Sequence, residues 1–287
     1  MLNSLVGSMF DTATPLPVRM CMVEPERLEF GQYEGSPHLL TPVITDSRKA
    51  TIALGNAVLE MERRLKLRAA HGVRNIEQFN RKVRQMEAQP RNLFEDELEE
   101  DELQQLPFVL IIIDELADLM MLERANVEES VTRLDQMARA VGMHLVLATQ
   151  RPRVDVITGL IKANFPSRIS YQVASRIDSR TILDAQGAER LLGNGDMLFL
   201  PPGTARVRRI HGAYVSESEI TGIVEFVKKN QGPPEYREEI TKVVEEKSGV
   251  DGIEYLEDPK YDDAVRVVLS TGQASASYLQ RRLKLGY

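Results

Sequence analysis

The chain has 287 residues, 43% hydrophobic and 28% charged, with a formal net charge of −7 at pH 7. That is an ordinary globular composition, long enough to bury one large core or one core and a small second module. A single cysteine, Cys21, excludes internal disulfides and Cys-rich metal sites, and the four histidines show no metal-ligand spacing. No run approaches the roughly 20 apolar residues of a membrane helix. Met1-Leu2-Asn3-Ser4 lacks the basic start of a secretory signal, so a cytosolic compartment is expected.

In chain order, Val18 to Val23 reads as a buried strand with Cys21 as a small core residue, and Ala50 to Ala70 as a long helix. Leu54, Val58, Met61, Leu65 and Leu67 form that helix's apolar stripe, with Glu60, Glu62, Arg63 and Arg64 outside it. Glu95 to Glu102 is almost entirely acidic, as expected of a solvated loop. Phe108 to Ile113 is six apolar residues in a row, a strand buried on both faces. Leu116 to Leu122 and Asn126 to Val141 read as helices, the second stopped by Gly142. His144 to Ala148 reads as another buried strand, and Arg168 to Val173, Asp196 to Leu200 and Arg206 to Ile210 as shorter ones. Ser216 to Glu219 opens a helix with an S-x-x-E capping box, and Gly232-Pro233-Pro234 breaks the chain before an acidic stretch reaching Asp258. Asp262 to Leu269 and Ser275 to Leu285 form two short helices, either a plain hairpin or the start of a helix-turn-helix. Basic residues, among them Arg281 and Arg282, outnumber acidic ones there, so global acidity does not exclude DNA. Alternating strands and helices predict an α/β fold with a mostly parallel sheet covered on both faces.

Asp114-Glu115 ends the greasiest strand, on the edge where α/β sheets bind ligands. One carboxylate there can hold Mg²⁺ and its neighbour can activate water on a nucleoside triphosphate, the arrangement of a Walker B element. Alternatively the pair caps the next helix. Thr149-Gln150 ends the following strand, placed either to touch a γ-phosphate or simply to start a loop. Arginines gather late in the chain, with Arg206 and Arg208 spaced to share a strand face; most such side chains face solvent. No G-x-x-x-x-G-K-[ST] occurs, and no Gly-Lys pair at all.

Longer strings carry a resemblance. Tyr33-Glu34-Gly35-Ser36-Pro37-His38-Leu39-Leu40-Thr41, Glu60-Met61-Glu62-Arg63-Arg64, Ile113 to Met120, His144 to Pro152, Val154 to Asn164, Asp178 to Asp184 and Gly195-Asp196-Met197-Leu198 resemble the hexameric DNA translocases of the FtsK/SpoIIIE type. The likeness runs from Asn3 to about Gln231. It implies a RecA-like P-loop NTPase core over residues 1–231, an acidic linker over 232–258, and over 259–287 the opening of a winged-helix DNA-binding module, with Arg281 and Arg282 as its DNA contacts. In that family the stretch matching Leu2 to Phe10 continues the helix of the phosphate loop, so the chain is expected to begin just past the phosphate-binding Lys-Ser.

The resemblance further implies ATP and Mg²⁺ as cofactors, with Asp114 on the metal, Glu115 as catalytic base and Thr149 and Gln150 facing the γ-phosphate. Arg180 or Arg208 becomes the finger offered to a neighbouring subunit. The partners implied are duplex DNA and five further copies in a hexameric ring. Chromosome segregation at division or sporulation is the implied process, on the cytoplasmic face of a membrane to which full-length members are commonly anchored. One departure stands out: Glu24-Pro25-Glu26 replaces the family's Asp-Pro-Lys. With the missing phosphate loop, it leaves open a non-catalytic ring or scaffold subunit that binds DNA without hydrolysing ATP.

Overall fold

The computed structural model describes residues 2–26, 29–87 and 104–243, which belong to one compact unit, Met1–Val243. The acidic run after Glu95, most of the expected linker, the two terminal helices and Arg281 and Arg282 lie outside the described residues.

The elements are α1 (Leu2–Thr12), β1 (Val18–Val23), α2 (Ser47–Ala70), α3 (Ile76–Glu87), β2 (Phe108–Ile113), α4 (Leu116–Met137), β3 (Met143–Leu147), α5 (Gly159–Asn164), β4 (Arg168–Ser170), α6 (Arg176–Leu183), β5 (Asp196–Leu200), β6 (Arg208–His211) and α7 (Glu217–Gln231). β1, β2 and β3 form a parallel sheet in that order, with Val23 opposite Ile113 and Ile113 opposite Leu147. Side chains alternate across β2, so Val109, Ile111 and Ile113 enter one core with α2 and α4, while Ile112 enters another with α1 and α7. The unbroken apolar run of β2 is therefore required: it is central and has no wet face.

The helices stop and start where local chemistry dictates. Asp46 caps α2 by accepting from Lys49 N at 2.8 Å, and Ser216 with Glu219 forms the expected capping box of α7. Leu116 to Met137 keeps the expected division into two helical stretches, which meet at a kink where Glu123 has non-helical dihedrals (φ −140°, ψ 58°), and a 3₁₀ turn over Ala138–Val141 follows before left-handed Gly142.

Four sequence expectations are corrected. First, the strands do not all join one sheet: β4, β5 and β6 form a separate antiparallel sheet. The stretch Pro201 to Val207 between β5 and β6 is too short for a parallel crossover, which needs about a dozen residues or more. Second, Arg64 is not on the outer face of α2 but buried, its guanidinium donating to Glu60 (2.7 Å), Pro107 O (2.7 Å) and Val141 O (3.1 Å). Its long stem crosses apolar surface, and the two carbonyls plus the carboxylate satisfy the charge. Third, β3 is a sheet edge, so His144 is exposed and Leu145 to Leu147 only half-buried. Fourth, Arg206 precedes β6, so it does not share a strand face with Arg208.

Cys21 is buried as expected, and burial pushes its thiol up to about 11 against the lowering effect of a hydrogen bond with Thr41. At the far end of the second sheet Gly195 (φ +93°) sits against Gly212, which donates to Gly195 O at 2.7 Å. A Cβ on Gly195 would lie 2.4 Å from Gly212 O, backbone that cannot step aside. Gly195→Ala is accordingly expected to cost roughly 3 kcal/mol or more in urea unfolding, combining left-handed strain with a backbone clash. A loss below 1 kcal/mol would show that the hairpin end opens freely.

Candidate active site

The carboxyl ends of three parallel strands meet on one edge, and each ends in polar residues. β1 runs into Glu24, β2 into Asp114-Glu115, and β3 through Ala148 into Thr149-Gln150. Ladder bonds extend past the strands to pin these residues: Asp114 N donates to Val23 O (3.0 Å), Ala148 N to Ile113 O (2.8 Å) and Leu116 N to Ala148 O (2.8 Å). Asp114, Glu115, Thr149 and Gln150 are thereby brought together as the strand pattern implied.

Glu115 is buried and fully engaged. It is the N-cap of α4, one oxygen accepting from Ala117 N (3.0 Å) and from the Thr149 hydroxyl, the other from Gln150 N (2.9 Å). Glu115 caps the helix, and in doing so it ties the end of β3 to the end of β2.

Among the described residues Asp114 makes no such bonds and has the carboxylates of Glu29, Glu24, Glu115 and Glu26 near it. Its pKa is pushed up to about 6, first by burial and then by the nearby carboxylates of Glu29, Glu24, Glu115 and Glu26. Glu24 is itself buried, its carboxylate accepting from the backbone N–H of Glu29 and from Phe30 N at 2.8 Å, which folds the chain back after β1. A half-buried carboxylate among several others is a hard-oxygen site with negative charge to spare, a donor set that suits a divalent cation held together with phosphate oxygens. Among the described residues no group of three His, Cys, Asp or Glu is arranged to hold a metal alone.

Arg151 lies within the His144 to Pro152 string, but its spacing alone assigns it no role. Its guanidinium lies 3.1 Å from Asp118 on α4 and 3.6 Å from Glu26, and its N–H donates to Thr149 Oγ1 at 3.1 Å. The departure at Glu26 thus has a local counterpart: the acid standing where the family has lysine pairs within the same chain with Arg151. A charge-pair search between strand ends could have suggested it, but nothing in the spacing of positions 26, 118 and 151 shows that they meet.

Arg180 on α6 and Arg208 on β6 are exposed on the part of the chain carrying the antiparallel sheet. Among the described residues neither bonds to the Asp114 cluster. In the same region Arg209, not Arg208, is the structural arginine: it grips Asp196 through Nε (2.8 Å) and Nη2 (2.7 Å). Those two bonds, with a third from Leu192 N, hold the Asp196 carboxyl down to about 2.

Comparison with known proteins gives this edge its context. The FtsK/SpoIIIE family model matches residues 1–154, and the FtsK gamma domain model matches residues 256–287. The chain is 50% identical over 301 residues to the DNA translocase FtsK of Pseudomonas aeruginosa, covering 99% of this chain and 37% of that protein. It is 51% identical over 286 residues to the DNA translocase FtsK of Caldanaerobacter subterraneus subsp. tengcongensis, covering all of this chain and again 37% of the relative. The chain therefore spans little more than a third of the length of these curated relatives. Among solved structures, the pCW3 conjugation coupling protein TcpA with ATPγS superposes with a TM-score of 0.62 at 27% identity, covering 78% of this chain and 60% of that one. The cytoplasmic domain of the type VII secretion ATPase EccC of Thermomonospora curvata shares the fold, with a TM-score of 0.63 at 21% identity over 83% of this chain and 27% of that one. With Asp114-Glu115 and Thr149-Gln150 on the carboxyl edge of a parallel α/β sheet of ATPase-motor type, the chain belongs to the FtsK/SpoIIIE family.

Proposed function

We propose that these residues are the motor of an ATP-driven translocase of duplex DNA, working as a hexameric ring in chromosome segregation on the cytoplasmic face of the membrane. The observation that carries this reading is the convergence of Asp114, Glu115, Thr149 and Gln150 on one sheet edge, combined with the family match. Asp114, which makes no side-chain hydrogen bond among the described residues, would hold Mg²⁺, and the ion would offset the crowd of carboxylates and neutralise charge on the phosphates. Glu115 orients and deprotonates the attacking water once the Thr149 hydroxyl turns away, and Gln150, with its backbone held by Glu115, offers an amide to the γ-phosphate. Arg180 and Arg208 stand exposed and apart from their own Asp114, the disposition of arginines that serve a neighbour's site. A ring supplies that neighbour. Contacts with DNA run mainly to phosphates, and residues 256–287, with Arg281 and Arg282, add a module that reads sequence.

Two measurements test the proposal. For the 287-residue chain, which has no Gly-Lys pair, titration with labelled ATP·Mg²⁺ is expected to show no binding at micromolar nucleotide. Micromolar affinity would mean that other residues supply the phosphate grip. With a G-x-x-G-x-G-K-S segment placed in frame ahead of Leu2, hydrolysis stimulated by duplex DNA should appear and should fall steeply with salt. Nucleotide binding without hydrolysis, at any DNA concentration, would favour the scaffold reading instead.

A further inference from the structure

The Tyr33 to Thr41 string has no part in the nucleotide edge, yet it is heavily braced. It runs beside the outer edge of β1, with Met20 N donating to His38 O (2.7 Å) and Leu40 N to Met20 O (2.8 Å). Arg19 Nη1 holds Pro37 O (2.8 Å), and His38 Nε2 lies 2.9 Å from Ala13 O at the end of α1. What this braced loop presents is taken up by residues beyond α7, in the stretch expected to begin a linker.

Arg237 N donates to Leu40 O at 2.7 Å. The Tyr236 hydroxyl accepts from Gly35 N (3.1 Å) and donates to Glu34 Oε1 (3.2 Å), while the other Glu34 oxygen accepts from Val43 N (3.0 Å). Arg19 Nη2 reaches Glu235 at 3.2 Å. On α2 the Asn56 amide faces three carbonyls of the segment, Glu239 O (3.1 Å), Ile240 O (2.8 Å) and Lys242 O (2.9 Å). Ile240 packs against the main core from the 3₁₀ turn Glu238–Thr241.

A mere connector leaves its backbone to water and keeps its conformational freedom. Here Arg19, Glu34, the backbone of Gly35 and Leu40, and Asn56 read one short segment residue by residue, and an apolar side chain anchors it. We propose that the Glu34–Leu40 loop and Asn56 form a docking seat for residues 235–242 of the same chain, fixing on the motor the point from which the chain continues to the gamma-domain residues 256–287. The segment leading to those residues then leaves the motor at 243 and not at 232. The proposal needs neither nucleotide nor DNA, so it stands or falls apart from the motor reading.

The seated segment carries its own protease sites, the bonds after Arg237 and Lys242. In the native 287-residue chain, trypsin should cut both slowly. Asn56→Asp, which sets a carboxylate against three carbonyls on the surface of α2, should speed both cuts at least ten-fold and leave the cut after Lys229 unchanged. Ile240→Ser, which leaves α2 untouched, should do the same. Dyes on Lys49→Cys and Tyr287→Cys, with Cys21 buried and unlabelled, should show a broader energy-transfer distance distribution in both variants than in the parent. Unchanged cutting in both variants would overturn the seat. Faster cutting with an unchanged distance distribution would overturn the fixed departure point. An effect of Asn56→Asp alone would assign the change to α2 and also reject the seat.

Discussion

Asp114→Asn is expected to stabilise the folded chain by about 1 kcal/mol at pH 7.5, although it removes the proposed metal ligand. The sign follows from linkage. Asp114 is raised from 3.8 to about 6 in the folded state, so between those values the native chain binds more protons than the unfolded one. Its contribution therefore becomes more favourable as pH falls from above 6 towards 4, and its full cost is present above pH 6. A shift of that size corresponds at most to roughly 3 kcal/mol, and solvent screening of a half-exposed carboxylate reduces it to about 1. Urea unfolding of parent and variant at pH 4, 6 and 7.5 should give a gap that closes with acidification. A variant less stable than the parent at pH 7.5 would show that Asp114 is compensated by contacts of its own. A site that carries negative charge at the expense of stability suits the cation proposed above.

Glu115 should behave in the opposite way. Glu115→Ala strips the acceptor from Ala117 N, the Thr149 hydroxyl and Gln150 N together, and is expected to lose roughly 3 kcal/mol or more in the same unfolding experiment. Glu115→Gln keeps one acceptor oxygen and the shape of the side chain, and should lose about 1–2 kcal/mol. In the chain extended by a phosphate loop, the glutamine variant should lower DNA-stimulated turnover by about 10²–10⁴-fold at temperatures where it is fully folded, with nucleotide binding retained. A turnover loss no larger than the loss of folded protein would reduce Glu115 to a helix cap.

The contrast between these two neighbours shows how far sequence reasoning reaches. Phe108 to Ile113 announces a central strand because six consecutive apolar side chains need cover on both faces, and β2 has it from α2 and α4 on one side and α1 and α7 on the other. The carboxylates that follow such a strand must emerge at its carboxyl edge, so the edge holding the candidate site was legible. The division of labour within it was not. Whether Asp114 or Glu115 caps α4 depends on which carboxylate points back at Ala117 N and across to β3, a question of rotamer and strand order. The pairing of Glu26 with Arg151 and Asp118 likewise joins three positions far apart in the chain, and no local pattern encodes it.

By itself the sequence determined the strands of the parallel sheet, the long helices, the cap at Ser216 and the family, because periodicity, turn chemistry and long distinctive strings are properties of contiguous residues. Tertiary structure decided what depends on distance through space. It buried Arg64 beneath carbonyls from two other segments, left β3 at an edge with His144 exposed, and set β4 to β6 apart as a second sheet. It also drew residues 235–242 back onto α2, although their composition reads as open linker. Charge and polarity along a chain say how costly a residue is to bury; only the fold supplies the partners that make burying it favourable.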